Sequence, residues 1–440
     1  MRVVFVGAGY VGLVSGTCFA EIGAAVTCVD KDQRKIEALL AGRIPIYEPG
    51  LEQLVKRNVA NGRLRFGTDL AAAVKGAEIV FIAVGTPSRD DGSADLGYVL
   101  AAAEEIGRAM DGPLIVVTKS TVPVGTGRKV EAILTAAKPR HTFYVGSAPE
   151  FLREGSAVAD FMNPDRIVVG SDHPEAIATL RQLHAPLLKG DQQFVAASLE
   201  TAELTKYAAN AFLATKIGFI NEIADLCEKA GADVEAVARG MGLDRRIGRW
   251  GLSAGPGFGG SCFPKDTRAL AYTGREWQSP FHIVETVIEM NERRKQSLAD
   301  KVIRAVGPNA RDATVAVLGV TFKANTDDVR ESVSVDLIPQ LQAAGIKIRA
   351  YDPEGMAHAQ SMLPDVEWCS DTYEALHGAD AAVILTEWSH FGPEGLDLAR
   401  AKAALKRPIV VDLRNLHDPE RMARAGFRYD SVGRRTVSPA

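Results

Sequence analysis

At 440 residues the chain holds two to three globular domains' worth of sequence, enough to build hydrophobic cores without disulfide or metal staples. With 46% hydrophobic and 24% charged residues it is not a disordered chain, and 51 Lys+Arg against 55 Asp+Glu (net −4) leave no basic excess for a nucleic-acid surface. Five scattered cysteines, with neither a CxxC nor a Cys/His zinc spacing, fit a reducing cytoplasm and predict no metal.

The apolar start MRVVFVGAGYVGLVSG has some features of a signal peptide, but its three glycines stand in strand-then-turn order, and no uncharged apolar run reaches membrane-spanning length. The expectation is a soluble, untargeted protein. Strand-like runs then alternate with Ala-rich helical stretches: Val3 to Val6, Ala25 to Val29, Ile79 to Ala83, Leu114 to Thr118, Phe143 to Gly146 and Ile167 to Val169. That alternation predicts βαβ units and a parallel sheet. Leu199 to about Gly231 and Pro280 to about Val306 read as helices, the second with Ser279 as N-cap and Pro280 at N1. Between them lies the Gly-rich segment Gly248 to Gly260. After Gly307-Pro308 the alternation returns at Thr314 to Val320, Ile346 to Tyr351, Ala381 to Thr386 and Pro408 to Leu413, and Arg434 to Ala440 reads as a frayed tail. The fold class expected is α/β, with domains at 1–198, 199–307 and 308–440, the last a structural echo of the first.

Gly7-Ala8-Gly9-Tyr10-Val11-Gly12 follows a strand and opens a helix, the context a dinucleotide fingerprint requires. Gly7 permits the turn, Gly9 lets backbone approach a pyrophosphate, and Gly12 allows close helix packing. Asp30 ends the second strand, where an acid binds ribose hydroxyls and repels a 2′-phosphate, so NAD is expected rather than NADP. In Gly259-Gly260-Ser261-Cys262-Phe263-Pro264-Lys265-Asp266, glycines give a thiol steric access and a nearby cation favours thiolate. A cysteine taken alone is most often a small core hydrophobe, and Cys18, Cys28, Cys227 and Cys369 are read that way. Lys206 and Asn210 are one turn apart on a helix face. The segment Ala148 to Gly155 follows a strand and so places Glu150 and Glu154 at the ligand side of the sheet.

With these motifs, and with IPIYEPGLE (Ile44 to Glu52), VGTP (Val84 to Pro87), KSTVPVGT (Lys119 to Thr126), NPDRIVVG, RIG (Arg246 to Gly248) and GVTFKANTDDVRES (Gly319 to Ser332), the chain resembles over nearly its whole length the UDP-glucose/GDP-mannose dehydrogenase family, which oxidises a sugar C6 alcohol to a carboxylate. The resemblance implies two Rossmann-like doubly wound domains joined by a central long-helix region that forms a homodimer. It makes Cys262 the nucleophile, through a thiohemiacetal and a thioester, with Lys206, Asn210, Asp266, Glu154 and Thr121 as supporting acid, base and oxyanion groups. Water held by Asp266 and Thr121, or Lys206 itself, would take the hydroxyl proton. It makes Val11, Asp30, Lys35, Thr86, Thr121, Glu154, Lys265 and Arg330 contacts to NAD, beside the three glycines.

Substrate contacts carried over are Glu150, Phe151, Leu152, Arg153 and Glu154, then Lys206, Asn210, the loop Gly251, Leu252, Ser253, Ala254, Gly255 and Gly259, and Lys323. Arg246 would enter the neighbouring subunit's site. UDP-glucose is the expected substrate, favoured by RIG over GDP-mannose or a UDP-N-acetylhexosamine, and an inactive NAD-binding regulatory protein is the rival of another class. One departure is Gly251, preceded by Trp250, where family members commonly carry Tyr or Phe.

Overall fold

The computed structural model describes residues 1–137, 140–308 and 310–439. They form two compact units, Met1–Ala209 with Arg268–Pro280, and Asn210–Thr267 with Phe281–Ala440.

The first unit is built on eight strands: β1 (Arg2–Val6), β2 (Ala25–Val29), β3 (Leu64–Gly67), β4 (Ile79–Ile82), β5 (Leu114–Thr118), β6 (Phe143–Ser147), β7 (Ile167–Gly170) and β8 (Phe194–Ala197). They lie in the order β3-β2-β1-β4-β5-β6-β7-β8. Reversal of strand order on the two sides of β1 is the doubly wound pattern, which opens a crevice at the carboxyl ends of β1 and β4. Alternate residues bury opposite faces: Val3 and Phe5 join one core with Phe19 and Phe81, while Val4 and Val6 join another with Val80, Ile82 and Val116. The sheet departs from the all-parallel expectation once. β6 and β7 meet antiparallel through Ser147 opposite Gly170. The chain entering the long helix crosses at Gly170, where a Cβ would fall 2.4 Å from the Ser198 carbonyl oxygen.

The second unit carries a six-stranded sheet: β9 (Thr314–Leu318), β10 (Lys347–Tyr351), β11 (Val366–Trp368), β12 (Ala381–Ile384), β13 (Ile409–Asp412) and β14 (Arg428–Ser431). The order is β11-β10-β9-β12-β13-β14, parallel throughout. Residues Ile220, Ala224 and Cys227 of one long helix and Leu298, Val302 and Val306 of another pack into its core.

Helices Leu199–Ala230 and His282–Val306 match the two helical readings. The second starts later than expected: Phe281, not Ser279, takes the N-cap position, without a side-chain cap. The tail expectation also needs correction. Arg434 is buried and donates to Ser431 Oγ (3.0 Å) and Tyr429 Oη (3.0 Å), and Val437 pairs with Tyr429, so the C-terminal segment is tied to β14. Ala440 lies outside the described residues. Among the described residues no helix is long and apolar enough to cross a membrane.

Candidate active site

The β1 turn has the shape of a diphosphate cradle. Gly7 sits at φ +104°, where an added Cβ would lie 2.6 Å from the Ala83 carbonyl oxygen, and at Gly12 a Cβ would be 1.9 Å from the Gly7 oxygen. At Gly9, by contrast, a Cβ would meet nothing within 4 Å, and Gly9 is the N-cap of helix Tyr10–Glu21 with no side chain capping it. Open space over amide groups at a positive helix end suits a dinucleotide's phosphates.

Asp30, just beyond β2, accepts from the Ala8 N–H (2.9 Å) and the Asp32 N–H (3.0 Å) and pairs with Lys35 Nζ (2.9 Å). Burial works to raise its pKa, but these partners outweigh it and hold the carboxyl below its ordinary value. The acid is therefore an anion at neutral pH, and Lys35 is its counter-ion. Across the crevice, the Thr86 hydroxyl donates to the Thr121 carbonyl oxygen (2.9 Å), which brings together two residues expected to meet the cofactor. Val11 is half-buried in the first turn of the fingerprint helix.

Beyond β6, the segment from Glu150 to Gly155 meets the long helix through a buried ion pair, Lys206 Nζ to Glu150 Oε1 at 3.1 Å, with side chains only 4% and 5% exposed. The Glu150 carboxylate also accepts the Leu152 N–H. Lys206 Nζ stands 5.4 Å from the Phe151 ring centroid, and the Arg166 guanidinium lies over the same ring at 3.8 Å. Arg153 is tied to Asp160 both by its guanidinium (2.5 and 3.0 Å) and by its backbone N–H (2.9 Å). Glu154 is half-buried next to Gly155.

In the second unit, Cys262 stands at the mouth of helix Phe263–Glu276, its carbonyl accepting the first helical bond from the Asp266 N–H (2.8 Å). It is partly exposed, whereas the other four cysteines are buried. Burial pushes the Cys18 and Cys28 thiols up to about 12, as the core reading requires. Asp266, 1% exposed, accepts from Asn210 Nδ2 (2.6 Å) on one oxygen and from Lys265 Nζ (2.6 Å) on the other. The Asn210 amide is thereby fixed in orientation, with a second N–H to offer.

The loop leading to Cys262 is held by its backbone. The Gly255 N–H donates to Asn221 Oδ1 (2.9 Å), Arg294 Nε donates to the Gly255 carbonyl (2.6 Å), and Asn291 both accepts from the Phe258 N–H (2.8 Å) and donates to its carbonyl (3.0 Å). A Cβ on Gly259 would lie 2.2 Å from the Glu331 carbonyl oxygen, and the Gly260 N–H donates to the Arg330 carbonyl (3.0 Å), so the loop needs glycine to pack on the GVTFKANTDDVRES segment. Lys323 Nζ is 5.5 Å from the Phe322 ring centroid.

Sequence profiles of the UDP-glucose/GDP-mannose dehydrogenase family match the chain three times: its NAD binding domain at residues 1–188, its central domain at 200–293 and its UDP binding domain at 316–419. The chain belongs to this family. It is 53% identical over 437 residues (99% of this chain, 100% of the relative) to UDP-glucose 6-dehydrogenase of Rhizobium meliloti, and 49% identical over 438 residues (99% and 94%) to UDP-glucose 6-dehydrogenase TuaD of Bacillus subtilis. Among solved structures, a UDP-glucose dehydrogenase from Pyrobaculum islandicum superposes with TM-score 0.89 at 39% identity, covering 97% of this chain and 96% of that one. A UDP-D-ManNAc dehydrogenase from Pyrococcus horikoshii does so at 0.85 and 26%, covering 99% of each.

In this member of the UDP-glucose/GDP-mannose dehydrogenase family, then, Thr86 with Thr121, Glu150 with Lys206, and Asn210 with Lys265 and Asp266 are brought into contact. Other expected residues have partners of their own: the Arg330 guanidinium pairs with Asp328 (2.8 Å) and that of Arg246 with Asp244 (2.6 Å), both well exposed. Leu252 and Ala254 are core residues, Ser253 is exposed, and Gly251 has φ +77°, a left-handed backbone that an aromatic residue would strain. Besides Glu48, which accepts the Gly155 N–H, four residues escaped the sequence reading. Lys119, beside the Glu150–Lys206 pair, has its pKa lowered to about 8, chiefly by burial, with Glu150 raising it and Lys206 lowering it. Asn221, Asn291 and Arg294 clamp the glycine loop. Lys119 opens the KSTVPVGT motif, so its position was marked; the clamp residues lie in ordinary helical pattern and carried no signal.

Proposed function

We propose that the chain oxidises the C6 hydroxymethyl group of UDP-glucose to the carboxylate of UDP-glucuronate in two successive oxidations at Cys262. The observation that carries this reading is the single partly exposed thiol, set at a helix mouth among glycines within a turn of the Asn210–Asp266–Lys265 cluster. NAD, when bound, accepts the hydride lost from C6 in each oxidation, and Gly7, Gly9, Gly12 and Asp30 are suited to hold it.

A water takes the C6 hydroxyl proton as the first hydride leaves, and the product is an aldehyde. The Cys262 thiolate then adds to the aldehyde carbon, and the resulting oxyanion is stabilised by the Lys206 ammonium and the second N–H of Asn210. Loss of a hydride from the carbon of this thiohemiacetal oxyanion, which needs no further proton removal, converts it to a thioester. Water adds to the thioester carbonyl, its proton passing to Glu154 directly or through another water, and the thiolate leaves with the carboxylate formed. The covalent link explains the use of sulfur: a free aldehyde would escape between the two steps.

The homodimer belongs to the same proposal. On helix Leu199–Ala230, Phe212, Phe219 and Leu226 recur at seven-residue spacing and are 65%, 47% and 58% exposed, a stripe suited to a second copy of the chain. Arg246 would serve the partner's substrate by exchanging its exposed pairing with Asp244. Because Cys262 must remain a free thiol, a reducing cytoplasm is the compartment proposed. Turnover measured on UDP-glucose, GDP-mannose and UDP-N-acetylhexosamines, with NADH counted per sugar, tests the reading. Two NADH per UDP-glucose and a clear kcat/KM preference for it are expected; one NADH per sugar refutes the thioester route, and preference for another sugar refutes the substrate.

A further inference from the structure

The IYEPGL stretch places a carboxylate where three distant parts of the first unit meet. Glu48 is 6% exposed. Its Oε2 accepts the Tyr10 hydroxyl of the dinucleotide fingerprint and the Gly155 N–H (2.7 Å), and its Oε1 accepts the Val158 N–H (3.3 Å). The Tyr10 oxygen is itself 3.2 Å from the Gly155 nitrogen. Gly155, at φ +79°, forms a turn that other residues rarely adopt, and Glu154 is the residue it carries.

We propose that Glu48, with Tyr10, is a positioning pair that fixes the Glu154–Gly155 turn for hydrolysis of the Cys262 acyl-enzyme; this rests on the roles given above to Cys262 and Glu154. Burial first, then the carboxylates of Glu48 and Glu154, push the Tyr10 hydroxyl well above its ordinary pKa, so it keeps its proton and remains the donor to Glu48. In neither oxidation does Glu154 carry a proton in this scheme. Loosening the turn therefore falls hardest on the last step, in which a proton must pass from the attacking water to the Glu154 carboxylate. A purely structural role would instead loosen the fingerprint through Tyr10 and weaken cofactor binding as well.

The test uses the full chain with UDP-glucose and excess NAD, quenched over time and read by intact mass for a uronyl adduct on Cys262, with NAD affinity measured separately by calorimetry. For Glu48→Ala we expect an NADH burst near the wild-type rate, a steady state slowed by about tenfold or more, an accumulating adduct, and NAD affinity within roughly threefold of wild type. Glu48→Gln should recover most of the hydrolysis, because one amide oxygen at the Oε2 position still accepts from both Tyr10 and Gly155 and only the long Val158 contact is lost. Wild-type turnover of Glu48→Ala without adduct, or parallel loss of burst and NAD affinity, overturns the proposal. If Glu48→Ala does not fold, Tyr10→Phe, which removes one donor only, must show the same adduct to a smaller extent; its absence is equally fatal. Failure of the wild type itself to give two NADH per sugar would remove the Cys262 reading instead.

Discussion

Replacing Lys206 separates what this lysine does for the fold from what it does for the reaction. At 3.1 Å, and with an effective dielectric constant of about 20, its attraction to Glu150 is roughly 5 kcal/mol. Removing it leaves Glu150 buried with Lys119 and Arg166 as nearby cations, so the loss should sit near ~3 kcal/mol, the lower end of the range for breaking a buried pair. For a unit of this size that lowers the melting temperature by about 6–12 °C. Lys206→Ala should also lose about 10²–10³ in kcat, the usual consequence of deleting an oxyanion donor. Adding Glu150→Gln removes the stranded charge, and the double variant should recover much of the stability. It should not recover rate. Thermal melts and steady-state kinetics of Lys206→Ala, Glu150→Gln and the double variant decide the matter, with Glu150→Gln as the activity reference. A double variant within about tenfold of Glu150→Gln in kcat would mean that Lys206 only balances Glu150, and the oxyanion role would be wrong.

Lys119 gives a pH signature: with a pKa near 8 in the fold and an ordinary lysine value when unfolded, it binds more protons unfolded than folded between those limits, so stability should rise with pH across them by up to roughly 3 kcal/mol. Urea melts of wild type and Lys119→Met at pH 7.5 and pH 9.5 should show that rise only in the wild type. Asp30→Ala removes both the anion facing the ribose and the acceptor of the Ala8 N–H, so it should weaken NAD use and relax discrimination against NADP, read as the ratio of kcat/KM; an unchanged ratio assigns the choice to another residue. Cys262→Ser should bind both ligands by calorimetry yet make almost no sugar acid, and near-normal product formation would refute the thioester. Mixing Arg246→Ala with Cys262→Ala subunits should restore activity if Arg246 serves the partner's site, since one site in a mixed dimer keeps both residues; verified mixed dimers that stay inactive exclude the sharing.

Long apolar runs announced themselves in the sequence, because strands buried on both faces, such as Ile79–Ile82 and Leu114–Thr118, need no alternation to be read. Missed strands are short and lie toward the sheet margins: β3 (LRFG), β8 (FVAA), β11 (VEW) and β14 (RYDS) bury too few side chains to leave a pattern. Ser279-Pro280 looked like a helix start, but the helix opens only at His282. The tail looked frayed because its anchors, Arg434 and Val437, are held by Tyr429 rather than by any local pattern. In the candidate site, glycines and the acid after a strand were legible because their constraint is local. Lys119 and Glu48 were not, because a buried charge is recognisable only beside its partners, and Glu48's lie 38 and 107 residues away.

The two sheets show why one architecture yields a dinucleotide site in only one of its copies. Both run outward in the same strand order, and in both an aspartate follows the second strand: Asp30 after β2 and Asp352 after β10. A carboxylate offers about four acceptor sites. Those of Asp352 are consumed by the N–H groups of Val320, Thr321, Glu354 and Gly355, the Thr321 hydroxyl and the Trp388 indole, and the residue is fully buried. The adjoining turn is closed too, since a Cβ on Gly319 would lie 2.4 Å from Thr386. Asp30 instead receives the Ala8 and Asp32 N–H groups and Lys35, keeps 15% of its side chain exposed, and adjoins the open space over Gly9. A ribose diol can reach Asp30 but not Asp352. The turn of the second sheet has become a structural bracket, and any nucleotide bound by that unit must be recognised by other groups, of which Lys323 on the segment after β9 is one cation of the expected set.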